Sequence, residues 1–132
     1  AGKSYISNAL CIAAIRLFKT TKYIRANTMM SEMDQARIRG TYLEYVNHMA
    51  NLDLLVIDDF GLMELDLDKC RDFFEVIDSR DNRKSTIIVS QLPVKSWYDL
   101  FAENTYADAC LDRIIHKAYR LELNGKNMRN PN

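Results

Sequence analysis

The sequence predicts an α/β fold in which a parallel sheet is covered by helices on both faces. Three observations lead there. Leu52-Asp53-Leu54-Leu55-Val56-Ile57 is a compact aliphatic run without polar alternation, as expected of a strand buried on both sides of a parallel sheet. Thr86-Ile87-Ile88-Val89 is a second β-branched run, stopped by Ser90-Gln91-Leu92-Pro93. Between and around these runs lie amphipathic helical stretches, and strands alternating with helices require right-handed crossovers.

Taken in order, Ile6, Leu10, Ala13, Ala14 and Leu17 recur at three- and four-residue spacing and predict a helix from Tyr5 to Phe18. Lys22 to Ala26 is short and alternating, which predicts a strand. Thr28 or Ser31 is expected to cap a helix ending near Gly40, and Leu43, Val46 and Met49 predict another short one over Thr41–Met49. The 52–57 strand follows and is closed by Asp58-Asp59-Phe60-Gly61. Leu67, Cys70, Phe73, Phe74 and Ile77 then form one apolar stripe on a helix running from Asp66 to about Arg83. After the Thr86–Val89 strand, Ser96–Phe101 and Thr105–Ala118 read as helices. Tyr119 to Leu123 alternates and predicts a last strand. No internal repeat interrupts this order, so residues 1–132 are expected to form one domain.

Composition narrows the setting. With 132 residues, 48% of them hydrophobic, the chain can bury a core without disulfides or metal. Eighteen Lys plus Arg balance eighteen Asp plus Glu, and a net charge of zero neither implies nor excludes nucleic acid. Cys11, Cys70 and Cys110 lie far apart among apolar neighbours and read as reduced core residues. No run approaches the roughly 20 apolar residues that span a bilayer. An intracellular, cytoplasmic protein without membrane contact is expected. The chain starts Ala1-Gly2-Lys3-Ser4, without Met and without a preceding strand, as a partial product would.

Four segments carry chemistry. Gly2-Lys3-Ser4 opening into a helix matches the end of G-x-x-x-x-G-K-[ST]. Backbone N–H groups and the helix N-terminus would face phosphates, Lys3 would neutralise the β and γ oxygens, and Ser4 would ligate Mg²⁺. As a bare tripeptide it more often arises by chance. Leu54-Leu55-Val56-Ile57-Asp58-Asp59 resembles a Walker B strand: Asp58 would hold the Mg²⁺ shell and Asp59 would polarise the attacking water. The plainer alternative is that paired acids solubilise a strand end. Gln91, ending the next strand, could orient water and sense the γ-phosphate, or simply form a turn before Pro93. Arg113 lies two residues from Leu111, about 200° around the helix, so it is expected to point away from the apolar stripe, free to reach a neighbour or to remain solvated beside Asp112.

The sequence resembles the IstB-like ATP-binding proteins, transposition-helper ATPases related to the DnaC/DnaI helicase loaders, all AAA+ enzymes. The resemblance covers essentially the whole chain. It rests on Gly2-Lys3-Ser4, on Asp53 to Gly61, on Ser85 to Pro93, on Leu111-Asp112-Arg113-Ile114, and on the closing Glu122 to Arg129. It implies a three-layer α/β/α P-loop NTPase core of AAA+ type with a parallel sheet, entered within the Walker A loop and lacking its first strand. Because that strand lies between two others in such a sheet, its loss is expected to leave unpaired backbone edges, abnormal pairing through the gap and a weak or inactive ATPase.

The resemblance also implies roles. ATP and Mg²⁺ would be the cofactors, held by Gly2, Lys3, Ser4 and Asp58. Asp59, Gln91, Arg113 and Arg129 would be catalytic, with Gln91 as sensor 1, Arg113 as an arginine finger offered in trans and Arg129 as sensor 2. Gln91 stands where the family usually has Asn, and Asn127 and Met128 replace the usual Ser and Tyr. The expected partners are DNA, a transposase or replicative helicase, and further copies of the chain when ATP is bound. Arg37, Arg39, Lys95, Lys117 and Arg120 could meet phosphates, but no residue is assigned to DNA. The leading expectation is a transposition helper of IstB type. The alternatives are a helicase loader, a truncated non-catalytic interaction module and, from the bare P-loop scaffold, a nucleoside kinase.

Overall fold

The computed structural model describes residues 18–117 and 119–122, with Ala9 and Ile12 before them. The predicted helix over Tyr5–Phe18 therefore falls almost wholly outside the described residues, as do Gly2, Lys3, Ser4 and Arg129. Strands β1 (Thr21–Arg25), β2 (Leu54–Asp58), β3 (Ser85–Ser90) and β4 (Tyr119–Glu122) form a single sheet in that spatial order, and every pairing is parallel. Each parallel step needs a crossover. Helices α1 (Ala26–Arg39) and α2 (Tyr42–Asn51) join β1 to β2, α3 (Leu67–Arg80) joins β2 to β3, and α4 (Asn104–Lys117) leads into β4.

Strand β2 is the reason the sheet must be covered on both sides, because all five of its residues are buried. Leu55 and Ile57 face a large core shared with Ile24, Ile88, Met29 and Met33 of α1, Met49 of α2, Phe73 and Val76 of α3, and Ile114 of α4. Leu54 and Val56 face the other way and pack with Val89, Phe18, Tyr23 and Ile87. The predicted parallel α/β architecture is thus observed. The expected pairing through the gap is observed: β3 and β4 pair directly, Ile87 opposite Tyr119 through Ser90 opposite Glu122, and only the expectation that these facing edges stay unpaired is corrected. Adjacent parallel strands satisfy each other's backbone groups, and that is the physical reason the edge closes.

Helix ends explain two further differences from the sequence reading. Neither Thr28 nor Ser31 caps α1. Strand β1 runs straight into the helix at Arg25, which has extended dihedrals and no side-chain cap, so both residues lie within the helix. Its other end is as expected, with Gly40 in the left-handed region at φ 77°. The predicted helix over Ser96–Phe101 is instead two single 3-10 turns, Val94–Ser96 and Tyr98–Leu100. Trp97 between them is fully buried and donates Nε1–H to the Leu92 carbonyl at 3.0 Å, which pins the segment too tightly for a longer helix. Asp66 does cap α3, accepting the Lys69 backbone N–H at 2.9 Å. Cys70 and Cys110 are buried free thiols, as predicted.

Two buried ionic groups hold the crossovers, one to the sheet and one to each other. Arg80, 1% exposed, donates to the carbonyls of Met49 and Leu52 at 2.6 and 2.8 Å, to Ser85 O at 2.5 Å and to Thr86 Oγ1 at 2.9 Å. It thereby ties the end of α2 to the starts of β2 and β3. Burial pulls its guanidinium down to about 10, still charged at neutral pH. Asp72 of α3, also 1% exposed, accepts from Tyr42 at 2.9 Å and pairs with Arg37, so α1 and α2 share one buried acid. Replacing Arg80 by Met should leave these carbonyls without their donor and cost about 3 kcal/mol or more in urea unfolding. Arg80→Lys should recover only part, since one ammonium cannot span four acceptors on three segments.

Candidate functional site

The parallel register brings the carboxyl ends of β1, β2 and β3 to one edge. Arg25 stands opposite Asp58, and Ile57 opposite Ile88, so the chain turns after Asp58 and after Ser90 are neighbours. Asp58 is the last residue of β2 and is fully buried, which excludes the reading that it merely solubilises a strand end. A buried carboxylate needs donors. Its Oδ1 accepts the Asp59 backbone N–H at 2.7 Å, and its Oδ2 accepts the Tyr23 hydroxyl. Burial, reinforced by the bond to Asp58, pushes the Tyr23 phenol up to about 12, so it stays a donor.

Asp59 adopts φ 56°, a left-handed conformation that Asp tolerates better than most residues. That turn swings its side chain off the strand axis, where Arg25 Nε meets Asp59 Oδ2 at 3.4 Å. Asp59 is 14% exposed at the side chain and Arg25 63%, so the acid is sheltered while the Arg remains open to solvent. Sequence reasoning named both acids but missed Tyr23 and Arg25. The available signal was the two-residue period of β1, which puts these two side chains on one face beside β2.

What holds the turn is Phe60. Its ring stacks on Phe73 at 5.1 Å and meets Trp97 edge-on at 5.0 Å. Its N–H donates to Val89 O at 3.0 Å, and its carbonyl accepts the fully buried Ser90 hydroxyl at 2.5 Å. Ser90 Oγ in turn accepts the Leu92 N–H at 3.0 Å, so the two turns are bonded into one platform. Gln91 is exposed on that platform, on the strand next to the one bearing Asp58. Lys3, Ser4, Gly2 and Arg129 lie outside the described residues.

Arg113 sits elsewhere. It does not extend freely from α4, as its helical angle had suggested. It is folded against α3, with Nε 3.0 Å from Asp78 and 3.8 Å from Asp81, Nη1 donating to Ala109 O, and the guanidinium 5.1 Å from the Phe74 ring centre. Two acids at the end of a packed neighbouring helix account for this. Among the DNA candidates, Arg37 is engaged with Asp34, the buried Asp72 and the Tyr42 ring, whereas Arg39 and Lys95 are exposed.

Adjacent carboxylates at a strand end are hard oxygen donors of the kind Mg²⁺ takes one or two of, with water and phosphate supplying the rest. Among the described residues no three His, Cys, Asp or Glu side chains gather into a metal-binding group. No helix of the described residues is long and apolar enough to cross a membrane.

Comparison with known proteins decides the family. The model of the IstB-like ATP binding proteins matches residues 1–132. The chain belongs to that family. Two insertion sequence ATP-binding proteins of Sinorhizobium fredii are 36% and 38% identical over 128 residues, covering 97% of this chain and 52% of each relative. An insertion sequence IS232 ATP-binding protein of Bacillus thuringiensis subsp. berliner is 29% identical and covers 97% of this chain and 51% of the relative. The IstB-like chain thus spans about half the length of the curated relatives it matches. In fold it is similar to AMPPCP-bound DnaA from Aquifex aeolicus, with a TM-score of 0.72 at 20% identity over 96% of this chain and 39% of that one. A DnaA replication initiator bound to AMPPCP and single-stranded DNA gives 0.70 at 20% identity, covering 94% and 38%. These neighbours share the parallel, helix-covered α/β fold of the chain.

Backbone geometry in the platform yields a direct test. Gly61 has φ 99°, and a Cβ placed there would meet Leu92 Cδ1 at 2.8 Å, whereas Gly40, at φ 77°, faces open space. Gly40→Ala should cost about 1–2 kcal/mol from the left-handed backbone alone. Gly61→Ala should cost more, because Leu92 must also move. Urea denaturation of the two variants ranks them.

Proposed function

We propose that this chain is the nucleotide-hydrolysing core of a Mg²⁺-dependent ATPase that assists DNA transposition. The observation that carries the reading is the fully buried Asp58 with Asp59 after it, at the carboxyl end of the central strand of an IstB-like AAA+ fold. Ligands of open α/β sheets lie at the carboxyl ends of the strands, and that is the edge on which the acids, Ser90 and Gln91 converge. Lys3 and Gly2 would cradle phosphate, and Ser4 and Asp58 would hold Mg²⁺ between protein and phosphate oxygens. Bound there, the ion would neutralise developing charge on the phosphates. Asp59, sheltered but not sealed, would accept a hydrogen bond from the attacking water, and Gln91 would orient that water or the γ-phosphate.

Arg113 and Arg129 complete the reading as trans finger and cis sensor. To act in trans, Arg113 must exchange Asp78 and Asp81 for the charge of a nucleotide bound by the neighbouring copy. The partners in this reading are DNA, a transposase and further copies of the chain. Insertion-sequence relatives favour a transposase over a replicative helicase.

In the intact protein that carries this chain, Lys3→Ala should abolish nucleotide binding, measured with a fluorescent ATP analogue. Asp59→Asn should keep binding but reduce turnover by about 10²-fold or more, as for loss of a positioned catalytic base. Arg113→Ala should retain ATP binding and lose DNA-stimulated hydrolysis, and mixing it with Asp59→Asn subunits should restore part of the activity. Unchanged nucleotide affinity in Lys3→Ala would sink the phosphate-loop assignment. A mixture no more active than its components would sink the trans role of Arg113.

A further inference from the structure

Two carboxylates at the sheet edge do not orient themselves; something must set the direction in which their oxygens point. Asp58 is fully buried, and its two oxygens receive different donors. Oδ1 takes the backbone N–H of Asp59 at 2.7 Å, and Oδ2 takes the Tyr23 hydroxyl from the neighbouring strand. One donor is main chain, placed by the left-handed turn at Asp59. The other is a rigid ring whose body packs with Leu54, Val56 and Val89 in the smaller apolar cluster. A hydrogen bond on each oxygen fixes the rotation of the carboxylate about its Cβ–Cγ bond. Each carboxylate oxygen has two lone-pair directions, so a carboxylate held in this way can accept a hydrogen bond and also face an ion or its water shell.

We propose that Tyr23 is a positioning residue: its hydroxyl fixes the Asp58 carboxylate in the orientation that receives the ion of a bound nucleotide. This rests on the reading of Asp58 as an ion-shell acid given above, and goes beyond it by naming a residue outside every motif. The parallel pairing of β1 with β2 supports it, because Tyr23 stands opposite Val56, two residues before Asp58, and its long side chain lies along the strand to reach the carboxylate. Removing the hydroxyl alone would leave the ring in its apolar cluster while taking away the bond that sets the direction of Asp58 Oδ2. Residues that orient a ligating group typically change metal affinity by about 10–100-fold when lost.

The test uses Mn²⁺ as the probe, with the intact protein saturated with a non-hydrolysable ATP analogue and free Mn²⁺ read by electron paramagnetic resonance. Tyr23→Phe should weaken Mn²⁺ about tenfold while leaving the metal-free affinity for the analogue unchanged. Asp58→Asn, in parallel, should weaken Mn²⁺ further than Tyr23→Phe does. If Asp58→Asn weakens Mn²⁺ and Tyr23→Phe does not, the positioning role is overturned and the ion-shell reading of Asp58 stands. If neither variant changes Mn²⁺ affinity, the ion-shell reading fails and takes the positioning role with it. If Tyr23→Phe weakens metal-free nucleotide binding as much as Mn²⁺ binding, Tyr23 is structural only and the proposal is wrong.

Discussion

Burial of β2 on both faces is the constraint from which the rest of the structure follows. A strand with no exposed residue must be paired on both edges and roofed on both sides, and its hydrogen-bonded neighbours here are β1 and β3. The same burial extends to its last residue, an acid. A carboxylate in that position is unfavourable unless donors converge on it, and the neighbouring strand and the following turn supply them. The polar edge of the sheet is thus a consequence of how thoroughly apolar the strand behind it is.

That edge is rigid for an identifiable reason. Phe60 is driven into an aromatic cluster with Phe73, Trp97 and Phe101, and its backbone is bonded to β3 through Val89 and Ser90. The turn after β2 and the turn after β3 therefore move together or not at all. At the opposite end of the sheet Asp53 plays a comparable part. It accepts the backbone N–H groups of Lys19 and Thr20, each at 3.1 Å, and the Lys84 ammonium at 3.0 Å. The starts of three strands meet there. Lys84, ahead of the two backbone donors, holds the Asp53 carboxyl below the usual range. The proposed chemistry sits at the other end, where the polar groups face one another instead of closing off the strand starts.

Much of this was legible in the sequence, and the parts that were not share a cause. The unbroken aliphatic run at 52–57 and the stripe from Leu67 to Ile77 each report an element through its own residues, and both elements are found with boundaries shifted by one to three residues. The acids at 58 and 59 were visible because they follow such a run. Tyr23 and Arg25 were not, because the two-residue period of β1 places them on one face but does not say which residues of β2 they meet; the register that does so is a long-range fact. Arg113 shows the same limit from another side. Its angle on the helix was calculable, but Asp78 and Asp81, more than thirty residues earlier in the sequence, decide where its guanidinium rests. The segment at 94–100 was misread as a helix since propensity carries no record of an indole pinned beneath it.

The central claim is that the carboxyl end of β2 is where a nucleotide-bound ion meets the protein. Substituting Fe²⁺ for Mg²⁺ in the intact protein and generating hydroxyl radicals with ascorbate and peroxide would cut the backbone nearest that ion. The account predicts ATP-dependent cleavage at residues 57–60 and 89–91, with a third cut near Lys3, all suppressed in Asp58→Asn. Cleavage that ignores ATP, or that falls elsewhere in the chain while these segments stay intact, would contradict it.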